Sequence, residues 1–122
     1  MANVIVLTDD VWVDNEVHSA LSDPGTQIHI ISDPRAVVDS VNEHGADAAV
    51  IDLQVGSMGG MAVVRALRAA MEAGEIGHVR MVLLLDRSAD AFIARRAGAD
   101  AHVLKPFTAQ QLRAAVTLPA EV

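Results

Sequence analysis

Four carboxylates and one ammonium stand where short apolar runs end. Asp9 and Asp10 follow Val4-Ile5-Val6-Leu7 and Thr8, Asp52 follows Ala48-Ala49-Val50-Ile51, Asp86 follows Met81 to Leu85, and Lys105 follows His102-Val103-Leu104. Acidic pairs supply hard oxygen ligands of the kind a divalent cation takes. An ammonium beside them neutralises charge that builds up on an oxygen-rich substrate group. Lys105 is also the only lysine among the nine basic residues, which points to a compact point charge where a planar guanidinium would not fit. Taken singly, each has a plainer reading. Asp9 and Asp10 cap a following helix, Asp52 is a solvated strand end, and Lys105 is a surface lysine paired with an acid. Only a shared location separates the two readings.

The elements that would bring them together are legible as a pattern. The three continuous apolar runs have strand length and suit parallel strands covered on both faces, whereas Gln27-Ile28-His29-Ile30-Ile31 partly alternates and reads as an edge strand. Helical stripes lie between them: Val13, Val17, Ala20 and Leu21; Val63, Leu67, Ala70 and Met71; Ala89, Phe92, Ile93 and Ala97. A weaker helix carrying Val37, Val38 and Val41 follows Asp33-Pro34, and a last one begins at Thr108 with Gln111 as its capping-box partner, ahead of Leu112 and Val116. Turn signals fall at Asp23-Pro24-Gly25, Gly45, Gly59-Gly60 and Gly74. Five β-α units with right-handed crossovers give an α/β fold, a doubly wound five-stranded parallel sheet in the flavodoxin-like order 2-1-3-4-5 with helices on both faces. In such a sheet ligands bind beyond the carboxyl ends of the strands. There the four acids and Lys105 converge.

Composition narrows the functional classes. The 122 residues suit one domain spanning 1–122. A net charge of -7 argues against nucleic acid or an anionic membrane as partner. Without cysteine there is no disulfide framework or thiolate chemistry, and no apolar run reaches the length of a signal or membrane span. The expected setting is the cytoplasm. His18, His29, His44 and His78 share no ligand spacing and read as surface or rim residues. Met58 and Met61 read as packing groups, and Trp12 as a partial shield over the site.

Asp9-Asp10, Asp52, Gly98-Ala99-Asp100 and Lys105-Pro106-Phe107 together resemble, nearly end to end, the receiver domain of bacterial two-component response regulators. The stretch from Asp52 to Met61 is similar to the loop after that family's phosphoacceptor, with Gly56 at its usual proline and Gly60 at its usual glycine. The resemblance implies that Asp52 accepts a phosphoryl group from a histidine kinase, that Asp9, Asp10, Asp52 and the Gln54 backbone carbonyl hold Mg2+, and that Lys105 contacts the phosphoryl oxygens. The implied chemistry is sound, because a carboxylate attacks a dianionic phosphoryl group only when charge is neutralised. No output domain follows in this sequence, so signalling would run through a downstream protein or a homodimer. The face made by the fourth helix, fifth strand and fifth helix is the family's usual contact surface, and here it would carry Arg95, Arg96, Asp100 and Arg113.

Two positions depart from the family. Asp86 stands where strand four ends in a hydroxyl residue, and His102 where strand five carries an aromatic. The segment between Asp86 and Lys105 is also a few residues short, which would shorten the fourth helix or its entry loop. An ungapped alignment puts Leu83 at the hydroxyl position, inside the apolar run, and Ser88 is an alternative hydroxyl. Losing the hydroxyl costs about 1 kcal/mol, and a carboxylate about 4 Å from the phosphoryl group opposes it by up to about 4 kcal/mol at an effective dielectric near 20. Asp86 would instead pair with Lys105 and imitate the negative group that phosphorylation brings, and a nearby His102 would make that pairing pH-dependent. The alternative function is therefore a phosphorylation-independent pseudo-receiver. A remote one, an Asp-nucleophile phosphatase resembling the haloacid-dehalogenase group, lacks that group's Asp-x-Asp motif in the first strand and any cap for a substrate. The expectation is a signalling module and not an enzyme.

Overall fold

Apolar residues at successive positions force a strand to be covered on both faces, and the computed structural model, which describes residues 2–54 and 59–117, meets that demand with two helical layers. The chain runs β1 (Ala2–Leu7), α1 (Val11–Leu21), β2 (Thr26–Ile31), α2 (Val37–His44), β3 (Ala48–Asp52), α3 (Gly60–Glu72), β4 (Arg80–Leu85), α4 (Ala91–Ala97), β5 (Ala101–Leu104), α5 (Ala109–Val116). Single 3-10 turns at Pro34–Ala36 and Ser88–Asp90 lead into α2 and α4. The strands are parallel in the order β2-β1-β3-β4-β5, as the alternation of elements predicted, with β2 at an edge.

Side-chain alternation sorts the sheet into two cores. Ile5, Leu7, Ile51, Met81, Leu83 and Leu85 pack against α2, α3 and α4, while Val4, Val6, Val50, Val82, Leu84 and Val103 pack against α1 and α5. With each such side chain contributing about 1.5–3 kcal/mol on burial, a one-residue slip of any strand would exchange the two sets and is strongly disfavoured.

Caps fall where the sequence placed them. Asp33 accepts from Arg35 N at the turn into α2, and Thr108 with Gln111 closes the capping box of α5. Gly45 ends α2 at φ 60°, a left-handed position that disfavours any residue with a Cβ.

The α4 stripe holds at Ala97 and needs correction at the other positions. Phe92 and Ile93 are 58% and 47% exposed, and the residues facing the sheet are Ala94 and Ala97, with Ala91 beside them. The 3-10 turn at Ser88–Asp90 sets the phase of the helix, and alanines let this seven-residue helix sit close to the sheet. The shortening of α4 agrees with the short segment before Lys105. Ala89 lies in the turn, outside the helix. Among the described residues no helix is long and apolar enough to cross a membrane.

Candidate functional site

Strand register builds the site. Leu7 pairs with Ile51 and Leu85 with Leu104, so the next residues along these ladders, Thr8 beside Asp52 and Asp86 beside Lys105, meet at the carboxyl edge of the sheet. Asp52 closes β3 and is 1% exposed. An ionised carboxylate so deep requires donors on both oxygens. It has them: Oδ1 accepts from Lys105 Nζ at 2.7 Å and from Gln54 N at 3.1 Å, and Oδ2 accepts from Thr8 Oγ1 at 2.9 Å.

Lys105 reaches this carboxylate from the end of β5, and its peptide bond to Pro106 is cis. The same ammonium lies 3.3 Å from Asp86 Oδ1. Burial by itself would lower the Lys105 pKa, but the hydrogen bond and charge of Asp52, followed by the charge of Asp86, outweigh it and hold the ammonium above the usual lysine value of 10.5. Lys105 is therefore a fixed cation shared by two anions.

Asp9 and Asp10 are exposed at the mouth, where β1 gives way to α1. Asp10 is the N-cap of α1, its Oδ1 accepting from Trp12 N at 2.9 Å, so the plainer reading of this residue holds alongside any other. Trp12 lies against Phe107 with ring centroids 6.1 Å apart, which ties the start of α1 to the segment after Lys105. Its indole stays 44% exposed.

The donor chemistry suits a hard divalent cation: every candidate ligand is oxygen, and Asp52 Oδ2 accepts from one donor among the described residues, Thr8 Oγ1. Among the described residues no three acidic or histidine side chains are gathered closely enough to form a ready-made cage.

Gly60 is required by contact with this edge. A Cβ there would stand 2.7 Å from the Asp52 carbonyl oxygen and 2.8 Å from Leu53 Cα, so only glycine lets α3 start against the end of β3. Gly56 and Met58 lie outside the described residues, and Met61 packs at the border of the core.

The two departures behave differently. Asp86 reaches Lys105 as anticipated, with its side chain 43% exposed. His102 pairs with Leu83 in the β4–β5 register, three positions short of Asp86, and makes no ion pair with it, so the expected His102–Asp86 coupling is not formed. Ser88 opens the 3-10 turn and is exposed, with no side-chain hydrogen bond to Asp52 among the described residues. Leu83 is fully buried within β4, as the gapped alignment requires. The histidines set aside as rim residues hold one surprise: the rings of His29 and His44 stack at 3.8 Å between centroids.

One contributing residue escaped the sequence reading. Thr8 was visible only as the residue before the acidic pair, yet a strand's two-residue period puts it on the face of Val4 and Val6, toward Asp52. That alternation was the available signal.

Known proteins share the sequence pattern and the fold of this chain. The sequence pattern of the response regulator receiver domain matches residues 4–117. The sensory transduction protein RegX3 of Mycobacterium tuberculosis is 28% identical over 116 residues, covering 95% of this chain and 49% of the relative. The chain thus spans about half the length of the curated relatives it matches. In fold it resembles the chemotaxis protein CheY4 of Vibrio cholerae, with a TM-score of 0.78, 21% identity, and coverage of 93% and 94% of the two chains. A second similar structure is the receiver domain of the sensor histidine kinase PA1611 of Pseudomonas aeruginosa, described with a magnesium ion coordinated in its active site cleft; its TM-score is 0.78 at 18% identity, covering 94% and 93%.

Proposed function

The chain belongs to the response regulator receiver domain family, and from that membership we propose that it is a two-component signalling module, located in the cytoplasm, in which Asp52 accepts a phosphoryl group from a histidine kinase. The observation that carries the proposal is the burial of Asp52 at the end of β3 with Lys105 Nζ 2.7 Å from Oδ1. In the reaction an Asp52 oxygen bonds to phosphorus, the donor's bond to phosphorus breaks, and the donor imidazole leaves with the electron pair and takes up a proton. Asp9, Asp10, Asp52 and the Gln54 backbone carbonyl are the residues that would hold Mg2+, which when bound neutralises phosphoryl charge and orients the transfer. Gln54 N fixes the Asp52 carboxylate through Oδ1. Lys105 follows the developing charge onto the phosphoryl oxygens. Output passes to a downstream protein, or to a second copy, through the face of α4, β5 and α5. No role as an enzyme is proposed.

A second reading is favoured by one contact. Because Asp86 already lies 3.3 Å from Lys105 Nζ, the site holds an internal anion where the phosphoryl group would otherwise bring one, and a module held permanently in a single state fits that pairing. Amide NMR with Mg2+ and beryllofluoride separates the two. Shifts that start at Asp52 and spread into β5 are expected of the phosphoaccepting module, and an unchanged spectrum favours the constitutive one.

A further inference from the structure

Lys105 Nζ and Gln54 N, both on Oδ1, account for only part of what holds Asp52. Thr8 Oγ1 donates to Asp52 Oδ2 at 2.9 Å and accepts from Asp10 N at 3.1 Å. The amide proton of Asp10 occupies a lone pair of the hydroxyl, so the hydroxyl's own proton is committed to Asp52. Thr8 is 3% exposed and Asp52 1%, which keeps water from competing.

We infer that Thr8 is a positioning residue that clamps the phosphoacceptor in its unmodified form and biases Asp52 against phosphorylation. The inference rests on the proposed role of Asp52 and adds a regulatory element to that site.

The sign follows from where charge goes. A hydrogen bond to an ionised carboxylate is roughly twice as strong as one to a neutral acceptor. When an Asp52 oxygen bonds to phosphorus and the donor departs with its electron pair, the carboxyl group ceases to be an anion and the negative charge sits on the phosphoryl oxygens. If Oδ1 attacks, Thr8 is left facing a neutral acyl carbonyl. If Oδ2 attacks, it faces an ester oxygen, which is a poorer acceptor still. Lys105 escapes this loss, because a long side chain carries its ammonium to the phosphoryl oxygens. Thr8 cannot follow, held by the β1 backbone, whose Thr8 N donates to Ile31 O at 3.2 Å, and by Asp10 N. The hydroxyl therefore stabilises the starting carboxylate more than the product. The difference between charge-assisted and neutral bonds corresponds to about five-fold in the equilibrium.

Thr8→Val removes the hydroxyl while keeping the shape, and Thr8→Ser keeps the hydroxyl. The experiment measures the steady-state phosphorylated fraction by intact mass with Mg2+ and acetyl phosphate, and the Asp52 carboxyl 13C resonance of the untreated proteins. Expected is a ratio of phosphorylated to free protein about five-fold higher in Thr8→Val, a displaced Asp52 carboxyl resonance in that variant, and wild-type behaviour in Thr8→Ser. Equal or lower modification of Thr8→Val, in a wild type that is modified, overturns the clamp and leaves the phosphoacceptor reading intact. Modification of Thr8→Val alone supports both. If neither protein is modified, and Asp86→Thr is unmodified too, the phosphoacceptor reading falls, and an Asp52 resonance indifferent to Thr8→Val then overturns the clamp as well.

Discussion

Asp86 Oδ1 lies 3.3 Å from Lys105 Nζ, the same ammonium that Asp52 Oδ1 holds at 2.7 Å. Two strand ends thus compete for the only lysine in the chain. A phosphoryl group arriving on Asp52 would meet a cation already partly neutralised and an extra carboxylate nearby. Because the Asp86 side chain is 43% exposed, solvent reduces that opposition well below its unscreened value, to about 1 kcal/mol. Asp86→Thr, which removes the charge and restores a hydroxyl, is expected to raise acetyl phosphate-driven modification several-fold, read by intact mass. An unchanged extent would remove Asp86 from the account.

Alkaline titration isolates Lys105. The protein has one lysine, no tyrosine and no cysteine, so between about pH 9 and 12 no other side chain titrates. Its folded-state pKa is raised above 10.5 because Asp52 and Asp86 outweigh the cost of burial. A raised pKa stabilises the fold fully below the unfolded value and loses that contribution as pH climbs through the folded value. The stability difference between wild type and Lys105→Met should hold level from pH 7 to about 10 and shrink above about 10.5, measured by urea unfolding. A difference that persists undiminished to pH 12 would contradict the pairing.

Gly60→Ala forces a Cβ to within 2.7 Å of the Asp52 carbonyl and 2.8 Å of Leu53 Cα, both backbone atoms. Overpacking of this kind costs roughly 1–3 kcal/mol. Urea unfolding should show that loss, and acetyl phosphate should modify Asp52 less, since relief of the clash moves the end of β3 and the proposed phosphoacceptor with it.

The shifted stripe of α4 gives a further test. Phe92→Ser should change stability by no more than about 0.5 kcal/mol, because the ring is exposed. Ala94→Leu, which inserts bulk against the sheet, should cost about 1–3 kcal/mol. The opposite ranking would restore the periodic reading.

These residues also mark how far the sequence could be read. Val4 to Leu7, Ala48 to Ile51 and Met81 to Leu85 identified three inner strands, because unbroken apolar runs of that length need cover on both faces, and parallel strands put Asp9, Asp10, Asp52, Asp86 and Lys105 at one edge. In α4 periodicity held at Ala97 but failed at Phe92 and Ile93. Large apolar residues were assumed to face inward, whereas alanines allow closer packing and the preceding 3-10 turn sets the phase. Thr8 was missed because its role depends on register with β3, a long-range pairing that local pattern does not report. The supposed link between His102 and Asp86 failed for the same reason, as β5 aligns His102 with Leu83.

The central claim is that Asp52 carries the phosphoryl group. Incubation with Mg2+ and acetyl phosphate, followed by intact mass and peptide mapping, tests it most directly. One phosphoryl group on Asp52, absent in Asp52→Asn, is the predicted result. Protein that stays unmodified under conditions in which Asp86→Thr and Thr8→Val also stay unmodified, or a group found on another residue, would contradict it.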